Sequence, residues 1–105
     1  MREVPNSVRR NAAVGLTLRK EFKRGGTAVG VARANQLSRG GPASDKTIKR
    51  MVSYFARHAV DKNAERFGNK KDPSPGYIAW LLWGGDSGQR WANSEWKKIQ
   101  KKKSK

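Results

Sequence analysis

Cysteine is missing from all 105 residues, and histidine occurs once, as His58. The first absence excludes disulfides, thiolate nucleophiles and cysteine-based metal sites. The second excludes His-rich metal sites. Acid is scarce too. The eight carboxylates, Glu3, Glu21, Asp45, Asp61, Glu65, Asp72, Asp86 and Glu95, are scattered, and no pair has a metal-ligand spacing. A hydrolase or nuclease needs a nucleophile with its base, or clustered carboxylates around a metal. The sequence therefore offers no catalytic residue, no metal and no cofactor. A Tyr54-His58-Asp61 constellation can be drawn, but a lone His near a helix end reads better as a partner of the helix dipole. The longest apolar run, Tyr77 to Trp83, is seven residues, against the ~20 that a membrane-spanning helix needs. Met1-Arg2-Glu3-Val4-Pro5 lacks the apolar core of a secretory signal. No membrane span is expected, and a soluble protein is.

What the chain has in excess is positive charge: 24 Lys and Arg against 8 Asp and Glu, a formal +16. Six of these cations, Lys97, Lys98, Lys101, Lys102, Lys103 and Lys105, lie in the last nine positions. The remaining 18 still outnumber the acids, so the body is basic in its own right. Such a charge opposes compaction through self-repulsion, and a polyanionic partner, most often nucleic acid, accounts for it. An anionic membrane surface, an acidic protein or a merely solvated face are the alternatives. The length allows one small domain. Four Trp, three Phe and two Tyr supply much of its core bulk.

The periodicity is helical. Asn6 or Ser7 caps a first helix carrying Val8, Ala12, Val14, Leu16, Leu18 and Phe22, stopped by Gly25-Gly26. Thr27 caps a second, Ala28 to about Arg39, with Val31, Ala32 and Leu37 inward, and Gly40-Gly41-Pro42 ends it. Ser44 caps a third, in which Ile48, Met51, Val52, Phe55 and Ala59 make one clean stripe. Asp45 in its first turn suits the helix dipole. Residues 66 to 76 read as a loop. Ser74-Pro75 then starts a short helix over Tyr77-Trp83, a run that periodicity alone cannot separate from a strand. Asp86 with Gln89 has the spacing of a capping box for a last helix, with Ala92, Trp96 and Ile99 inward. The expected fold is all-α, a compact bundle of four or five short helices. Residues 1–99 form a single basic domain and residues 100–105 a disordered Lys-rich tail.

Helices two and three, joined through Gly40-Gly41-Pro42, suggest a helix-turn-helix-like pair, although five residues from Gly40 to Ser44 exceed the usual turn of about three or four. In that motif the start of the second helix meets base edges. Lys46, Thr47, Lys49, Arg50, Ser53 and Arg57 lie off the apolar stripe and have the chemistry for phosphates and bases. Lys70 and Lys71 in the loop, with Lys97, Lys98 and Lys101 near the end, complete the candidate nucleic-acid-binding set. Gly25-Gly26-Thr27 lacks a P-loop spacing and serves first as helix punctuation, with a secondary phosphate contact at the following helix start as its other use. Trp80, Trp83, Trp91 and Trp96 could stack on unpaired bases. Trp80 and Trp83 belong rather to the core, and Trp91 is the best candidate for partial exposure.

Three strings stand out together: Val4-Pro5-Asn6-Ser7-Val8-Arg9, then Thr47 to His58 with Tyr54-Phe55-Ala56-Arg57-His58 inside it, and Gly76 to Asp86 with Trp83-Gly84-Gly85-Asp86 at its end. The set, spanning roughly residues 4 to 96, resembles a family of small bacteriophage proteins, some associated with head-morphogenesis genes and mostly without an assigned function. The resemblance implies a phage origin and supplies no catalytic residues. The expectation is a small phage-type protein that binds duplex DNA, working in the cytoplasm of an infected bacterium or packaged in the virion. A virion assembly or scaffold protein meeting an acidic protein, an inhibitor of a host enzyme, and a homodimer stay open.

Overall fold

The computed structural model describes residues 2–69 and 71–103. The first helix, α1 (Asn6–Phe22), begins without a side-chain cap. Asn6 and Ser7, the expected caps, are already helical, because Pro5 precedes them in extended conformation and leads the chain directly into the first turn. At the other end Lys23 turns left-handed (φ 53°), and its N–H donates to Arg19 O at 2.8 Å. Thr27 Oγ1 accepts the Gly30 N–H at 3.2 Å and opens α2 (Ala28–Arg39). Ser44 Oγ accepts the Thr47 N–H at 3.2 Å and opens α3 (Asp45–His58). A short 3-10 segment, Ala59–Asn63, follows. Ser74 Oγ accepts the Tyr77 N–H at 3.1 Å and opens α4 (Pro75–Leu82), with Pro75 in its first turn. These oxygens satisfy donors that a helix start leaves without partners. Gly84 and Gly85, at φ 111° and 66°, turn the chain from α4 into α5 (Gly85–Lys103), a conformation that suits residues without a Cβ. Among the described residues the architecture is an all-α bundle of five α-helices. It carries one two-residue antiparallel ladder, Arg2 opposite Ala43 and Glu3 opposite Pro42, too short to leave a periodicity in the sequence.

α4 is the hub. A helix apolar all round must be buried all round, and Ile78, Trp80, Leu81 and Leu82 are all buried. α1 lies along α2 and α4, and α3 lies along α5. Val8, Ala12, Leu37, Ile48, Met51, Phe55, Trp80, Leu82, Ala92 and Ile99 form the main core, while Leu18, Ile78 and Leu81 form a smaller one with Phe22 and Tyr77 at its margin. The close approach of α1 to α4 rests on Gly15: a Cβ there would lie 2.8 Å from Leu82 N and 3.0 Å from Leu81 C. Phe55 and Trp80 meet edge to face, their centroids 4.7 Å apart.

Several expectations are corrected. α2 and α3 do not pack as a helix-turn-helix: α2 is laid along α1 and α3 along α5, and Arg33 Nη1 donates to Thr47 Oγ1 at 3.4 Å between them. The inner face of α2 is Gly30, Ala34 and Leu37, with Val31 half-buried and Ala32 exposed, since α1 approaches from the side of the small residues. On α3 Tyr54 is buried where Ala59, already in the 3-10 segment, is exposed, and Val52 is half-buried. Val14 of α1 is exposed. Asp86 is no cap, for it lies inside the first turn of α5, accepts the Trp80 Nε1 hydrogen at 2.9 Å and pairs with Lys62 Nζ at 2.7 Å. α5 runs on to Lys103, so residues 100–103 are helical where a disordered tail was expected; residues 104 and 105 lie outside the described residues. Lys and Gln are good helix formers, a helix anchored by Ala92 and Ile99 propagates at little further cost, and cations favour its C-terminal turn.

Candidate nucleic-acid interface

Burial of Ile48, Met51 and Phe55 fixes the rotation of α3 and turns Lys46, Lys49, Arg50, Ser53 and Arg57 outward. All five are exposed, and all five line one groove of about 780 Å³. Its opposite wall is the first turn of α2, Thr27 and Val29, the latter an apolar side chain left 60% exposed. Tyr54, His58 and Trp83 close the base.

Those three rings stand in a column. Arg33 Cζ lies 5.4 Å from the Trp83 ring centroid. Trp83 stacks on Tyr54 at 4.6 Å with 7° between planes, and Tyr54 stacks on His58 at 4.5 Å with 22°. Tyr54 and Trp83 are buried, so they show the groove only their margins, whereas the His58 side chain is 44% exposed. The column thus runs from a guanidinium inside to an imidazole outside. His58 Nδ1 is 3.2 Å from Asp61 Oδ2. No Tyr-His-Asp proton path is built, because Tyr54 meets His58 face to face and its hydroxyl is buried without a hydrogen-bond partner among the described residues. Burial, reinforced by the Asp61 charge, pushes the Tyr54 phenol well above its ordinary value and keeps it neutral.

The electrostatics of the groove are one-sided. Among the described residues none of Lys46, Lys49, Arg50 and Arg57 is held in an ion pair. Behind them Arg33 is half-buried with its Nε lacking a partner. Burial first, then the nearby Arg50 charge, lowers its pKa from the ordinary guanidinium range. Asp72 accepts from Arg24 Nη1 at 3.1 Å and Arg66 Nη1 at 2.9 Å, clasping the segment before α4 to the chain just after α1.

The structure gathers only part of the expected set. Thr47 is removed from it, since its side chain is 6% exposed and takes part in the α3 cap with Ser44 Oγ, 3.2 Å from its own Oγ1. Its period on the helix turns it in with Ile48. Lys71, Lys97, Lys98 and Lys101 are exposed but do not line the groove, and Lys98 pairs with Glu95 at 3.2 Å. Lys70 lies outside the described residues. Trp80 and Trp83 are core, and Trp91 and Trp96 are half-buried against it. Sequence reasoning missed Thr27, Val29, Arg33, Tyr54, His58 and Trp83 as parts of one site. The i, i+4 spacing of Tyr54 and His58 was the signal available for two of them.

Two further basic hollows flank α1. One is lined by Asn6, Arg9, Arg10, Ala13 and Ser38, and the other by Arg19, Lys20, Lys23, Arg24, Gly25 and Gly26. Among the described residues no three His, Cys, Asp or Glu side chains gather as a metal site, and no helix is long and apolar enough to cross a membrane. No protein-family model, curated protein or solved structure matches the chain.

Proposed function

We propose that the protein binds nucleic acid, duplex DNA first, by neutralising phosphates with the outer face of α3. The observation that carries this reading is the row Lys46, Lys49, Arg50 and Arg57, exposed along one groove with no ion pair among the described residues. The 14 residues of α3 extend about 21 Å at 1.5 Å each, along which B-DNA presents one charge per ~1.7 Å of axis. Phosphate contacts position a protein without reading sequence, and with the helix-turn-helix arrangement gone and Thr47 buried, sequence-independent affinity is the form proposed. Lys97, Lys98 and Lys101 on α5 add long-range attraction. From the resemblance alone, the proposed setting is an infected bacterial cell or the virion.

The test is a gel-shift series with a blunt duplex from 50 to 400 mM salt. Four to eight contacts give a slope of log K against log salt of about −3.6 to −7. A flat line, or no binding at the lowest salt, overturns the proposal and moves the basic face toward an acidic protein partner.

A further inference from the structure

A duplex uses only the rim of the groove. Its base is apolar and aromatic, and its volume of about 780 Å³ falls in the range of sites that enclose a small molecule, roughly 300–1,000 Å³. The ring column ends there in the half-exposed imidazole of His58, and exposed Val29 faces it from α2. A basic rim around an aromatic base is the combination by which proteins hold single strands, phosphates on the cations and bases on the rings.

We infer that this groove holds an unpaired nucleotide, its base laid against the outer face of His58 as the next member of the Arg33-Trp83-Tyr54-His58 column and its phosphate on Arg57, Arg50 and Lys49. The inference rests on the nucleic-acid reading and narrows it: the preferred partner is DNA with an unpaired segment, at an end, a gap or a displaced strand. Three features support it jointly. The inner rings are already covered on both faces, which leaves His58 as the place where a further ring can stack. The rim cations sit within the same groove as that ring. Val29, an apolar side chain in water, gains cover when a base enters.

The experiment uses the whole chain and three fluorescein-labelled probes with equal numbers of phosphates: a blunt duplex, a duplex with a five-nucleotide thymidine overhang, and an oligothymidine strand. At fixed salt the overhang and the single strand are expected to bind on the order of tenfold more tightly than the blunt duplex, the scale of one stacked base. His58→Ala and, separately, Val29→Ser are expected to remove most of that preference while leaving blunt-duplex affinity within about twofold. Bromodeoxyuridine in the overhang should crosslink under ultraviolet light to tryptic peptides 25–33, 51–57 or 58–62. Binding to all three probes with no preference overturns the inference and leaves the α3 reading standing. A preference that survives both substitutions, or crosslinks elsewhere, places the unpaired base at another site and overturns it equally. Failure to bind any probe overturns the nucleic-acid reading itself.

Discussion

Replacing Lys49 and Arg50 together with Ala separates binding from folding. Both side chains are exposed on the groove side of α3 and neither contributes to the Ile48-Met51-Phe55 core. Each phosphate contact multiplies affinity by about eightfold at 0.1 M salt, so two lost contacts weaken duplex binding by about 60-fold and flatten the salt slope by about 1.8. Stability moves the other way or not at all. Exposed substitutions change it by about 0.5 kcal/mol or less, and Arg50 is one of the two causes that lower the Arg33 pKa, so its removal relieves a repulsion. Fluorescence anisotropy across salt reads the first quantity, and circular dichroism melting the second. Wild-type affinity in the double variant would refute the assignment of α3 as the gripping face and transfer it to Arg9, Arg10, Arg19, Lys20, Lys23 and Arg24. A fall in melting temperature of several degrees would show instead that these side chains brace the fold.

Phe55→Ala removes a side chain that is 1% exposed and packed edge to face on Trp80; a urea titration should record a loss of about 3–5 kcal/mol. Gly15→Ala gains up to ~1 kcal/mol of helix propensity, but its Cβ meets the backbone of α4, which cannot yield. The overpacking cost of about 1–3 kcal/mol should prevail, and a higher melting temperature would contradict the α1–α4 contact. Burial alone would raise the Asp86 carboxyl, yet hydrogen bonds from Lys62 and Trp80 and the charges of Lys62 and Arg90 bring it below its ordinary value of 3.8. Its folded pKa is thus depressed, so its contribution is present above pH ~4 and disappears as the pH falls through the folded value. Asp86→Asn should therefore lower stability modestly at neutral pH and leave it unchanged near pH 2; an equal loss at both would assign the effect to packing.

What could be read from the sequence was the chemistry that acts over a few residues. Thr27, Ser44 and Ser74 were recognisable as caps because a hydroxyl and the N–H it serves are three positions apart, and the start of α4 followed from Ser74-Pro75. The cations of α3 were legible from their spacing against Ile48 and Phe55. Rotations set by distant partners were not: which face of α2 turns inward depends on α1, and α1 approaches α4 at Gly15, a position that hydrophobic patterns read as a gap. Tyr54 resisted for another reason, since a phenol suits surface and core alike and only stacking between Trp83 and His58 decides it. The groove was invisible because its walls come from the first turn of α2, from α3 and from Trp83, which nothing in the local sequence relates. The helical end of α5 was missed because lysines read as solvated chain until the packed turns before them are known.

The position of α4 in the chain has a consequence for synthesis. The hub that completes the burial of α1 occupies residues 75–82, and α3 waits for α5, which comes later still. Until about three quarters of the chain has been made, α1 and α2 have only each other to close upon, and the apolar side of α3 has no helix to lie along. The charged sides, by contrast, are present from the first turn of α1, and their mutual repulsion keeps the growing chain extended and apart from its copies. Completion of the core is therefore a late event: the last third supplies α4 and α5, and a ribosome that stops before residue 75 releases a basic chain in which α1 and α2 have only each other to pack on and the Trp83 end of the groove is missing.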